Sequence, residues 1–83
     1  MNTVELIRSV GPVLWGQRWQ SPLSYALGIE TRSVRRWASG ETEPRSDSWA
    51  KLAALMRERV AELDRLLPEV ERRARRASGN EGQ

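Results

Sequence analysis

The segment SPLSYALGIETRSVRRWASG, residues 21–40, opens with a strong helix-start signal. Ser21 is a favourable N-cap, and Pro22 has the φ angle of a first helical residue and loses no hydrogen bond that the helix needs. Gly28 is the residue type that most readily closes a helix in the left-handed conformation. These residues predict a short helix that ends at Gly28.

The second half of the segment predicts another short helix, from residue 31 or 32 to about Ser39, which ends at Gly40. Val34 and Trp37 are expected to anchor this helix in the core. Because each residue turns an α-helix by about 100°, three basic side chains then lie on its outer side: Arg32, Arg35 and Arg36. This pattern favours a helix-turn-helix whose second helix meets a polyanion, and the alternative is a basic face that contacts only solvent.

The N-terminal segment has the apolar spacing of one amphipathic helix, from Thr3 to about Leu14. Thr3 is its expected cap, and Gly11-Pro12 predicts a weak point or kink within it. Together with a longer C-terminal helix, these elements predict an all-α fold, a compact helix-turn-helix domain with a long C-terminal helix.

The C-terminal helix is expected to begin at Ser46 or Asp47 and to kink or stop near Leu67, because Pro68 interrupts its apolar pattern. The predicted organisation is a DNA-binding region over residues 1–45, a helix over 46–71 that covers the core and dimerises, and a flexible basic tail over 72–83. The arginines of that tail either contact DNA or serve only to keep the tail soluble.

Apolar residues repeat at intervals of seven along the C-terminal helix, in two interleaved series: Trp49, Met56, Leu63 and Val70, and Ala53, Val60 and Leu67. A stripe of this length is more than a small domain needs to cover its core, which favours a homodimer. The expected dimer contacts are Met56, Val60, Leu63 and Leu67. A two-fold dimer would place two recognition helices roughly 34 Å apart, one turn of DNA.

Cysteine and histidine are both absent from the 83 residues. Their absence removes disulfides, Cys/His zinc sites and the common histidine-based forms of catalysis, so we expect no enzyme activity, no cofactor and no small-molecule substrate. The N-terminus does not resemble a signal peptide, and no apolar run reaches the roughly 18 residues of a spanning helix. We therefore expect a cytoplasmic protein without membrane contact.

Seven residues between Gln20 and Pro44 stand at characteristic offsets: Gln20, Ser24, Gly28, Ile29, Val34, Trp37 and Gly40. This pattern resembles the helix-turn-helix of the Cro and phage-repressor (XRE-like) family. The resemblance implies a sequence-specific regulator of transcription that binds double-stranded DNA. In the simplest case it is a dimeric repressor that occludes a promoter, similar to small phage or mobile-element autorepressors, including those that accompany anti-CRISPR genes.

Carried over residue by residue, the resemblance implies base contacts from Thr31, Arg32 and Arg36. It implies phosphate contacts from Gln20, Ser33, Arg35 and Thr42. Two features depart from the family pattern. The expected helix start at Ser21 leaves Gln20 outside the helix, and the loop over residues 41–43 is acidic where relatives are often basic.

A protein-binding module is the competing interpretation. An antitoxin or adaptor could use the apolar stripe of the long C-terminal helix to hold a partner protein, with DNA binding secondary.

Overall fold

The computed structural model describes the backbone of residues 1–81 and the side chains of residues 1–78. Within the described backbone the chain forms four helices: α1 (Thr3–Trp15), α2 (Gln20–Leu27), α3 (Thr31–Ser39) and α4 (Ser46–Glu81). No strand is present in that part of the chain. The prediction of an all-α fold with a long C-terminal helix is confirmed.

Helices α1, α2 and α3 pack against one another in a compact unit that spans Met1–Ala53. Its core is built from apolar side chains of all three helices, of Trp19 just before α2 and of the first turns of α4: Ile7, Val10, Trp19, Leu23, Leu27, Val34, Trp37, Ala38 and Leu52. Full burial of one large apolar side chain stabilises a fold by roughly 1.5–3 kcal/mol. The predicted core roles of Val34 and Trp37 are confirmed.

Helix α1 continues through Gly11 and Pro12 to Trp15. Gly11 is buried, and a Cβ atom built at this position would overlap the indole ring of Trp19. The glycine therefore lets the aromatic ring lie directly on the helix backbone, which a sequence motif of Gly followed by Pro does not reveal. The cap is also one residue earlier than expected, because Asn2 Oδ1 accepts a hydrogen bond from the backbone N–H of Glu5 at 2.8 Å.

Helix α2 begins at Gln20 rather than after Ser21. Trp19 already has helical backbone angles, φ −82° and ψ −17°, and its carbonyl accepts the N–H of Leu23 at 3.0 Å. Ser21 is therefore inside the helix, and its expected role as N-cap is wrong. The physical reason is that the Trp19 ring is buried against α1. This contact holds the backbone of Trp19 in helical geometry, so the helix starts without a capping side chain.

Helices α2 and α3 both end as predicted, at glycines in the left-handed conformation. Gly28 has φ +69° and Gly40 has φ +85°. After each glycine the next backbone N–H reaches back into the helix, from Ile29 to the carbonyl of Ser24 at 3.0 Å and from Glu41 to the carbonyl of Arg36 at 2.9 Å. This pair of reverse hydrogen bonds satisfies carbonyls that a helix end otherwise leaves open.

Helix α4 runs through Pro68 to Glu81, so the alternative that the helix stops near Leu67 is wrong, and the helical segment extends past residue 71. Proline removes one hydrogen bond and crowds the preceding turn, but the residues that follow favour a helix strongly. Glu69 pairs with Arg72 at 2.9 Å and with Arg73 at 3.7 Å, and such spacings stabilise a helix by about 0.2–0.5 kcal/mol per pair. Residues 82 and 83 of the predicted flexible tail lie outside the described residues.

A second compact unit begins at Ala54, within α4. The side chains of this unit from Met56 to Ser78 are exposed. Across residues 1–81, none of the helices combines the length and the apolar character that crossing a bilayer requires.

We expect Gly11→Ala to destabilise the protein, although alanine has the higher helix propensity. The added methyl group overlaps the Trp19 ring, and overpacking of this kind costs about 1–3 kcal/mol. Urea unfolding followed by circular dichroism measures the change. In a Trp19→Leu background the same substitution should cost less, and an equal cost in both backgrounds would contradict the proposed contact.

Candidate nucleic-acid interface

Helix α3 has two chemically opposite faces and is the most strongly amphipathic of the helices between residues 1 and 81. Val34 is fully buried, and Trp37 and Ala38 are nearly so. The arginines Arg32, Arg35 and Arg36 are exposed. The prediction that Val34 and Trp37 anchor the helix while the arginines face outward is confirmed.

Thr31, predicted to contact a base, holds α2 and α3 together. Its Oγ1 lies 3.0 Å from Ser24 Oγ, and Ser24 Oγ donates its hydrogen to the carbonyl of Ser21 at 2.7 Å. Since a hydroxyl has one hydrogen to donate, Thr31 must be the donor in the Thr31–Ser24 hydrogen bond. Toward any ligand, the half-buried Thr31 then offers an acceptor oxygen and a methyl group.

Three of the predicted contact residues line one open groove beside α3. Ser33 and Arg36 come from α3, and Thr42 comes from the loop that follows it. Arg45, the residue before α4, lines the same groove and was not among the predicted contacts. The sequence signal for Arg45 was its position after Pro44, at the point where a loop returns the chain to the core.

Gln20 and the remaining arginines lie outside the lining of that groove. Gln20 is the first residue of α2, so the expected departure from the family pattern, with Gln20 before the helix, is wrong. Arg32 is one helical turn before Arg36 and therefore shares its face. Arg35 is adjacent to Arg36 in sequence, which sets its side chain to one side of that face.

Arg8 fastens the end of α3 to α1. Its Nε donates a hydrogen bond to the carbonyl of Ala38 at 2.9 Å. This carbonyl belongs to the last turn of α3, where a cation interacts favourably with the helix dipole. The bond gives α3 a second attachment to the core besides its buried side chains.

Glu41 lies next to Arg36, with Oε2 of the carboxylate 3.8 Å from Nε of the guanidinium. Both side chains are substantially exposed, 67% for Glu41 and 47% for Arg36. In the sequence, this loop stands out only for its acidity. The signal that could have revealed the pair is a glycine at the helix end, because the turn it makes brings the following residue back toward the last turn of the helix.

No protein-family model, no curated protein and no solved structure matches this chain. The resemblance to the Cro and phage-repressor family therefore stays a prediction that rests on the residues quoted above.

Thr31→Val should destabilise the domain by about 0.5–1.5 kcal/mol, because it removes a partly buried hydrogen bond between α2 and α3. Thermal unfolding measures the difference. Thr42→Val is the matched control, since Thr42 is exposed in a loop and should change stability far less. Equal effects of the two substitutions would contradict a structural role for the Thr31 hydroxyl.

Proposed function

We propose that this protein binds double-stranded DNA sequence-specifically through α3 and acts as a dimeric repressor of transcription in the cytoplasm. The observation that carries the proposal is the division of α3 into a buried apolar face and an exposed face with three arginines. A surface helix whose exposed side is mainly basic is suited to a groove lined by phosphates.

The spacing of the arginines supports base recognition. Arg32 and Arg36 are separated by four residues of helix, which rise about 6 Å. Two base-pair steps of about 3.4 Å each span a similar distance along DNA. A guanidinium can donate two hydrogen bonds to O6 and N7 of guanine, so each arginine is suited to read one guanine in the major groove.

The other predicted contacts have the chemistry of phosphate ligands. Arg35 lies to one side of the base-facing pair, and Ser33 and Thr42, which carry hydroxyl groups, line the same groove as Arg36. Gln20, at the first position of α2, can donate its amide hydrogens to a phosphate oxygen. Thr31 can accept a hydrogen bond or contact a thymine methyl group while it remains bonded to Ser24.

Arg36→Ala should lower the preference for a specific duplex over a scrambled one by about 1–3 kcal/mol. Duplexes selected from a random library by the wild-type protein supply the specific site, and fluorescence anisotropy over a series of salt concentrations measures affinity. Arg65→Ala is the matched control because it removes the same charge from an exposed position on α4.

The control should leave the preference unchanged, and wild-type affinity should fall as salt rises. Equal weak binding of the wild type to both duplexes, unaffected by Arg36→Ala, would contradict the proposed function.

The dimer part of the proposal is supported by exposed apolar side chains on α4. Residues in the seven-residue repeat are well exposed in the single chain: Met56, Val60, Leu63, Leu67 and Val70. Because they recur every three or four residues, they form one stripe, which is the pattern of a helix that pairs with a second helix. Pairing of two copies removes this apolar surface from water.

We expect Leu63→Glu to convert a dimer into a monomer, since a charge at the centre of the stripe would be buried on association. Leu63 is 65% exposed in the single chain, so the substitution should leave each monomer folded. Sedimentation at micromolar concentration measures the mass. Ala61→Glu adds the same charge at an exposed position outside the stripe and should leave the dimer intact.

A wild-type protein that sediments as a monomer would contradict the dimer. If it also failed to distinguish DNA sequences, the exposed stripe of α4 would favour the second candidate function, an antitoxin or adaptor that holds a partner protein.

A further inference from the structure

The exposed ion pair between Arg36 and Glu41 lies at the end of α3 that borders the groove. We propose that Glu41 is a specificity-determining residue that positions the Arg36 guanidinium for base recognition. This inference rests on the proposed function, because it assigns Glu41 a role in the same DNA-reading site. Glu41 is a positioning residue in this scheme and acts through Arg36.

The turn at the end of α3 brings Arg36 and Glu41 close together. Gly40 takes a left-handed conformation, φ +85°, and its N–H donates to the carbonyl of Trp37 at 3.2 Å. The next N–H, from Glu41, donates to the carbonyl of Arg36 at 2.9 Å. The backbone of Glu41 is therefore bonded to the residue whose side chain its carboxylate approaches, so the two side chains start from adjacent, fixed positions.

The position of the carboxylate leaves the useful part of the guanidinium open. Glu41 approaches Nε, which is one of the three nitrogens that carry the five donor hydrogens of an arginine side chain. The two terminal nitrogens remain available, and together they can make the bidentate contact with O6 and N7 of guanine. A carboxylate at ion-pair distance from Nε thus favours one orientation of the Arg36 side chain without occupying the edge that reads a base.

An ion pair between two exposed side chains adds little to folding stability. Its consequence for DNA binding is of similar size but acts on sequence preference, because a long side chain loses rotational freedom when it docks, and a partner that restricts it beforehand reduces that loss. The same carboxylate repels phosphates, so it lowers the affinity for every DNA sequence. The positioned Arg36 offsets this loss only at the sequence that it reads, so the preference for that sequence rises.

The test compares Glu41→Gln with Glu43→Gln. Both remove one negative charge from the same loop, but the Glu43 carboxylate accepts a hydrogen bond from Thr3 Oγ1 at 2.6 Å and is not part of the pair with Arg36. Affinities are measured for the wild-type-selected duplex, for its single-base-pair variants and for a scrambled duplex.

For Glu41→Gln we expect equal or tighter binding to the scrambled duplex and a fall of about two- to fivefold in preference for the selected one. The fall should be confined to the base pair at which Arg36→Ala also loses discrimination. Glu43→Gln should change the two affinities by the same factor and leave the preference intact.

An Arg36→Ala, Glu41→Gln double variant isolates the coupling. Without the arginine, Glu41→Gln should have no further effect on preference. An undiminished preference in Glu41→Gln, or an equal loss of preference in Glu43→Gln, would overturn the positioning role. A wild-type protein that enriches no sequence would instead overturn the proposed function, so the two failures are distinguishable.

Discussion

The burial of Val34 and Trp37 sets the rotation of α3, and the other features of the candidate interface depend on it. Two large side chains three residues apart leave only one orientation of a nine-residue helix that keeps both out of water. The same rotation turns the arginines outward. It also directs the helix end at Gly40 so that the chain returns along the edge of the groove.

The attachments of α3 are of different kinds, and each acts at a different point. Apolar burial holds its middle, the Thr31–Ser24 hydrogen bond holds its start to α2, and the Arg8–Ala38 bond holds its end to α1. A helix this short is marginal in isolation, so its geometry depends on these contacts rather than on its own propensity. A rigidly held helix loses less freedom on binding than a mobile one.

The arginines in and around α3 differ in what their side chains contact. Arg8 uses its Nε–H on a backbone carbonyl, and Arg36 shares one edge with Glu41, whereas Arg32 and Arg35 are outward-facing cations. The formal net charge of the chain, +3, does not reveal these differences. The second unit differs in that its apolar stripe is exposed, whereas the apolar side chains Val34, Trp37 and Ala38 of α3 are buried.

Sequence alone determined the number and order of the helices, the glycines that close α2 and α3, the inward residues of α3 and the outward direction of its arginines. These follow from local rules, because periodicity and positive φ at glycine act over one or two turns. Tertiary structure decided the rest. Trp19 packed on Gly11 moved the start of α2 to Gln20, and contacts between helices gave Thr31 and Arg8 hydrogen-bond partners on neighbouring helices. The local reversal at Gly40 returns Glu41 toward Arg36, and only the three-dimensional structure shows their side chains at ion-pair distance. The start of α2 and the hydrogen bonds of Thr31 and Arg8 depend on contacts that form only when whole helices pack together. Periodicity within one helix does not encode such contacts.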